Sequence, residues 1–190
     1  MPLPIHQFPI HQFPIHHSPI PMPIAYLSLG SNVDKEHNLP AAVRLLAGHG
    51  RVLAVSAVYE TAPVGNPDDP SFFNAAVALE TALQPAELKQ QVLSRIEQRL
   101  GRQRSADPNA PRTIDVDISL FDDAILDLGK RRIPDPEVVR YPHIAVPLAD
   151  LAPDYRHPET GETLAQIAAR VTAAGGQPLL RRVDIALPQP

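Results

Sequence analysis

Between Ile114 and Leu120 apolar and polar side chains alternate at every position: Ile114, Val116, Ile118 and Leu120 against Asp115, Asp117 and Ser119. A period of two marks a strand with one apolar face. Such a strand needs neighbours in a sheet and a layer over its apolar side. The same period sets chemistry, because side chains at i and i+2 leave a strand on one side. Asp115 and Asp117 therefore stand side by side, roughly 6–7 Å apart. Carboxylates that close repel unless one takes a proton or a cation lies between them. Arg112 sits just before the strand, and Pro111 ahead of it supplies no ladder donor.

Paired carboxylates beside a guanidinium suit Mg2+ carrying substrate phosphates. The ligands are all oxygen, and the planar fork of arginine can donate two bonds at once to phosphate. A strand whose outer face is simply polar gives the same pattern. The rest of the chain decides between the two.

Upstream, Ile24–Leu29 reads as a first strand, followed by Gly30-Ser-Asn32, where Ser or Asn can cap a helix. Leu39, Ala42, Val43, Leu46 and Ala47 recur at helical spacing over Asn38–Ala47, and Gly48 and Gly50 end the helix. Arg51–Tyr59 alternates as a second strand. Pro63, Gly65, Pro67 and Pro70 make Thr61–Pro70 a loop of the kind that binds or covers ligands. Phe72–Thr81 is a third strand. Pro85 opens a helix to Leu100, with Leu88, Val92, Ile96 and Leu100 on one face and Gly101 past its end.

A polar loop, Gly101–Asn109, then delivers the chain to the Asp115/Asp117 strand. Beyond it come a turn at Asp122-Asp123 and a short hairpin of Ala124–Leu128 with Arg131–Ile133. A rigid Ile133-Pro-Asp-Pro136 turn follows, then helices over Val146–Leu151 and Leu164–Val171 and a last strand over Leu179–Leu187. The order strand–helix–strand–strand–helix–strand is the split βαβ arrangement of ferredoxin-like folds. The expected class is α+β, a mostly antiparallel sheet with helices packed on its faces.

Composition narrows the setting. The 190 residues fit one domain, and none is cysteine, which excludes disulfides and thiolate chemistry. A net charge of −4 argues against bulk binding to nucleic acid or anionic membrane. No apolar run is long enough to span a bilayer.

Residues 1–23 repeat the unit Pro-Ile-His-Gln-Phe and carry no Lys, Arg, Asp or Glu. They lack a basic start and a continuous apolar stretch, so they are no secretory signal. Proline this frequent blocks helix and central strand, and the expectation is a disordered or polyproline-like tail before a single domain over 24–187. His6, His11, His16 and His17 lie in it; a metal-binding role rests on composition alone. Met22 is an alternative start. The expected setting is a cytoplasmic monomer.

Four segments, in order, resemble the 6-hydroxymethyl-7,8-dihydropterin pyrophosphokinase family: Leu29-Gly-Ser-Asn32, Tyr59-Glu-Thr-Ala-Pro-Val-Gly65, Phe73-Asn-Ala-Ala-Val77, and Gly101-Arg through Pro111-Arg-Thr-Ile-Asp-Val-Asp117. The likeness runs from Ala25 to about Pro153. It implies transfer of the terminal pyrophosphoryl unit of ATP to a pterin hydroxymethyl group, with release of AMP. It also implies two Mg2+ ions on Asp115 and Asp117, and ATP contacts by Arg102, Arg104, Arg112 and Glu97. Arg102 and Arg112, with His143, are the implied catalytic groups. Thr61, Val64, Phe72 and Asn74 are implied to hold the pterin, Phe72 by stacking and Asn74 by hydrogen bonds. Taken singly, Phe72 also suits a core, Asn74 a strand edge and Arg102 a helix C-terminus.

The chain departs from the family's pattern in three places. Asp135 stands where a histidine follows the proline, His143 where a second stacking phenylalanine is common, and Asn109 where a tryptophan is often found. His143 can stack on the ring, reach toward the phosphates, or merely start a helix. Two other readings stay open: a paralogue acting on another pterin-like alcohol, and a nucleotide-binding regulatory domain without turnover.

Overall fold

The structure, a computed structural model, describes residues 22–63, 68, 70–103, 110–129, 131–174 and 181–190. The expected tail, apart from residues 22 and 23, lies outside the described residues, as do Val64, Arg104 and Asn109.

The strands are β1 (Ile24–Ser31), β2 (Arg51–Val55), β3 (Val58–Thr61), β4 (Phe72–Glu80), β5 (Asp115–Phe121), β6 (Leu126–Asp127), β7 (Arg132–Ile133) and β8 (Arg181–Val183). The main sheet runs β5-β1-β4-β3-β8, with β2 also paired to β4, and every pairing in it is antiparallel. β6 and β7 form the separate hairpin expected from sequence. The helices are α1 (Lys35–Leu46), α2 over residues 85–99, α3 (Pro142–Leu151) and α4 (Leu164–Ala173). This is the α+β, ferredoxin-like arrangement.

β4 lies at the centre and is buried continuously from Phe73 to Leu79 because both its faces are covered. One core packs Leu27, Leu29, Val77, Leu79 and Val116 against Leu39 and Leu46 of α1 and Leu88, Leu93 and Ile96 of α2. The other packs Ala76 and Leu120 under Ile144 and Leu148 of α3 and Leu164 and Ile167 of α4. Each fully buried leucine contributes about 1.5–3 kcal/mol. A capping box starts α4: Thr163 Oγ1 accepts the Gln166 N–H (3.2 Å) and Gln166 Oε1 accepts the Thr163 N–H (2.9 Å).

Five expectations are corrected. The single second strand is two, because Ser56 interrupts it: its Oγ accepts the Ala76 N–H (2.8 Å) where a ladder carbonyl would stand. Leu120 does not share the face of Val116 and Ile118, since a bulge at Ser119 shifts the register between β1 and β5 and turns Leu120 to the second core. α1 starts at Lys35, and Asn32 is not its cap. α3 starts at Pro142, so His143 is in its first turn. The last strand ends at Val183 rather than Leu187, pairing with β3 over Arg181–Val183; its expected start at Leu179 lies outside the described residues.

Candidate active site

Strand parity assembles the site. Gly30 of β1 is paired with Asn74 of β4 on one side and Asp115 of β5 on the other, and Ser28 is paired with Asp117. The side chains of Asn74, Asp115 and Asp117 therefore leave the same face of the sheet, with Phe72 two residues from Asn74. Asn74 and Asp115 lie roughly 10 Å apart across the glycine strand. Gly30 keeps the floor between them open; a Cβ there would stand 3.7 Å from Asn74 Oδ1. Above this floor is a pocket of about 310 Å³, bounded by Thr61, Phe72, Asn74, Arg112, Asp115 and Asp117 and, across from them, Glu137, Tyr141 and His143.

The acids are held by cations. Asp115 is paired with Arg102 and with Arg112 (3.0 Å). Asp117 is paired with Lys89 (2.8 Å) and Arg131. Burial pushes the Asp117 carboxyl up, but Lys89 and Arg131 outweigh it and hold it below the ordinary carboxylate value. Glu97, only 2% exposed, stands behind the pair. It accepts from Lys89 (2.9 Å) and from the Val116 N–H (3.2 Å) and is paired with Arg102 (3.1 Å). One carboxylate oxygen from each of Glu97, Asp115 and Asp117 lies within 4.8 Å of the others. An all-oxygen set this tight fits a hard divalent ion such as Mg2+.

The other half of the pocket suits a flat heterocycle. Asn74 spends its amide protons on the Tyr59 carbonyl (3.3 Å) and Thr61 Oγ1 (3.1 Å). That fixes the amide plane and turns Oδ1 toward Gly30. Phe72 is half-buried, and the Arg112 guanidinium carbon is 5.8 Å from its ring centroid. One contact thus joins the aromatic side of the pocket to the arginine side.

Across the pocket, His143 stacks on Tyr141 with ring centroids 5.4 Å apart and planes 21° apart. Asp135 does not line the pocket. Its Oδ1 accepts the Glu137 N–H (2.9 Å), and burial, with the Asp117 charge adding, raises its carboxyl. Glu137 is raised too, by burial and then by Asp135, Asp117 and Asp115. Of the residues singled out from sequence, Thr61, Phe72, Asn74, Arg112, Asp115, Asp117 and His143 meet at this pocket. Arg102 and Glu97 adjoin it from behind through the acids. Val64 and Arg104 lie outside the described residues.

Residues 26–153 match the model of the 7,8-dihydro-6-hydroxymethylpterin-pyrophosphokinase family. The chain belongs to this family. It is 38% identical over 151 residues to the 2-amino-4-hydroxy-6-hydroxymethyldihydropteridine pyrophosphokinase of Bacillus subtilis, covering 78% of this chain and 89% of that one. It is 40% identical over 154 residues to the enzyme of that name from Methylorubrum extorquens, covering 80% and 95%. The fold is also that of a Plasmodium falciparum HPPK-DHPS structure, with a TM-score of 0.65 at 17% identity over 80% of this chain. The chain spans 44% of the length of that longer protein.

Sequence reasoning missed Lys89, Arg131, Glu137 and Tyr141 of this pyrophosphokinase. Lys89 and Glu97 each directly follow a residue of the apolar helix face, Leu88 and Ile96, which was the available signal for Lys89. Arg131 lies on a short hairpin, Glu137 on a turn and Tyr141 just ahead of α3, where no periodicity reports direction.

Proposed function

We propose that this pocket is where the pyrophosphokinase aligns its two substrates, ATP and 6-hydroxymethyl-7,8-dihydropterin. The enzyme moves the terminal pyrophosphoryl unit of ATP to the pterin hydroxymethyl oxygen, leaves AMP, and serves folate biosynthesis. The hydroxymethyl oxygen bonds to the β-phosphorus as the bridge to the α-phosphate breaks.

Asp115 and Asp117 would hold two Mg2+ ions with the phosphates of ATP. Bound there, the ions supply charge neutralisation and help to align the phosphates. Arg102, Arg104 and Arg112 contact the phosphates, and Glu97 acts on them through Arg102. Arg102 and Arg112 are held by Asp115, so their forks are already pointed at the site. Phe72 and His143 enclose the pterin ring. Asn74, Thr61 and the Val64 backbone meet its edge. The family resemblance gives the task of covering the substrates to the segments Thr61–Pro70 and Arg102–Asn109, which lie partly outside the described residues. Residues 24–187 are the catalytic unit, a cytoplasmic monomer. Among the described residues no helix is long and apolar enough to cross a membrane.

The observation that carries this reading is the shared face: Asn74 and Asp115 flank the bare Gly30, so a ring and a triphosphate fit side by side. A coupled assay for AMP tests it. AMP that appears only when the hydroxymethyl dihydropterin is added supports the reading. ATP binding without AMP release would instead mark a nucleotide-binding regulatory domain.

A further inference from the structure

Helix α2 leaves α geometry where it passes behind the acids: it is α-helical at Pro85–Glu87, π-helical over Leu88–Leu93, and α-helical again over Ser94–Arg99. A π turn holds an extra residue and rotates the side chains around it. Lys89 lies in this turn. Its ammonium donates to Val116 O (2.7 Å), Asp117 Oδ1 (2.8 Å) and Glu97 Oε1 (2.9 Å). These three bonds use all three of its protons. The Lys89 side chain is 13% exposed, against 47% for Arg131, the other cation on Asp117.

We infer that Lys89 is a resident cation of the phosphate site: it holds Glu97 and one oxygen of Asp117, and so leaves Asp115 and Asp117, of these three clustered carboxylates, to hold metal. The inference rests on the reading of those two aspartates given above. It explains why three carboxylates stand together while the pyrophosphokinase reading gives ions to only two. Arg131 sits on a hairpin at the surface and is free to leave when phosphates arrive. Lys89 is not, since its departure takes one partner from Glu97, which is 2% exposed and keeps Arg102 and the Val116 N–H, and removes the donor on the Val116 carbonyl. A lysine fixed there cancels the charge that would otherwise draw an ion inward to Glu97.

The consequence is a gain of binding on removing a charge. Lys89→Met or Lys89→Gln opens Glu97 to the ion, and with a positive neighbour gone the site takes divalent metal at least about tenfold more tightly. Adding Glu97→Gln to Lys89→Met removes the new ligand and returns affinity to within about threefold of wild type.

The experiment titrates Mn2+ into each purified protein without nucleotide and follows free Mn2+ by electron paramagnetic resonance, with circular dichroism as the check on folding. Tighter binding in the single variants that the double variant reverses supports the inference. Unchanged or weaker binding in the folded single variants overturns it, as does tighter binding that survives Glu97→Gln. If Lys89→Met does not fold, Lys89→Gln and Lys89→Gln/Glu97→Gln carry the same comparison, because the amide can still bond to Val116 O. Failure of the functional reading is separate: the wild type would release no AMP with the pterin, whatever the Mn2+ titration gives.

Discussion

Asn32 and Arg112 hold each other by a reciprocal pair of hydrogen bonds: the Arg112 N–H donates to Asn32 Oδ1 (2.7 Å), and the Asn32 N–H donates to the Arg112 carbonyl (3.1 Å). The Asn32 side-chain Nδ2 donates to the Pro70 carbonyl (3.4 Å), at the end of the Thr61–Pro70 segment. One buried side chain thus ties Arg112 to the chain at Pro70, just ahead of β4. Asn32→Ala leaves the Arg112 N–H without its partner, a loss of about 1–3 kcal/mol. Urea unfolding should register that loss, and initial rates should show a raised KM for ATP. Unaltered values for both would mean the tie has no consequence.

Asp115→Asn and Asp117→Asn keep shape and remove charge. Each is expected to lower pterin-dependent AMP release about a hundredfold or more, the scale of losing a group that stabilises developing charge. Circular dichroism should stay native. Near-normal turnover in either variant would remove that aspartate from the phosphate site.

His143 faces the pocket, while Asp135 is turned to the Glu137 backbone. His143→Ala should therefore lower turnover more than Asp135→Ala does. A lost stacking contact corresponds to about tenfold. Small and equal effects of both changes would sink the assignment of the ring contact to His143.

The raised carboxyl of Asp135 has a sign that can be read in stability. In the unfolded chain the group titrates near the ordinary value of about 4; in the folded protein burial, with the Asp117 charge adding, holds its proton longer. Its contribution favours folding below the unfolded value and is lost as pH rises through the folded one. Asp135→Asn removes that loss, and the amide oxygen can still accept the Glu137 N–H. The variant should be more stable than wild type at pH 7, with the difference shrinking as pH falls toward 4. Denaturant midpoints measured across that range check it, and a difference that grows on acidification contradicts it.

The sequence showed the parity of β5 and the shared side of Phe72 and Asn74, because alternation reports direction directly. It also contained a sign of the π turn that went unread. Leu88, Val92, Ile96 and Leu100 recur at every fourth position, a spacing wider than 3.6 that a straight α-helix cannot keep on one line. The break at Ser56 was invisible, because a serine in an alternating run looks like an outward residue until its hydroxyl is seen to take the Ala76 N–H. The bulge at Ser119 hid for a similar reason: one extra residue keeps the written alternation while reversing the face of Leu120. Glu137 reaches the pocket from a turn, Tyr141 from the start of α3, and Arg131 reaches Asp117 from a hairpin, and their direction depends on how those connections pack.

The central claim is that one face of the sheet sets the β-phosphorus of ATP against the pterin hydroxymethyl oxygen. The most direct test is the phosphorus NMR spectrum of a reaction containing the protein, ATP, Mg2+ and 6-hydroxymethyl-7,8-dihydropterin. The predicted result is a single AMP resonance with a mutually coupled pair from the pterin diphosphate, in equal amounts. ADP beside a pterin monophosphate, or ATP left intact, would contradict it.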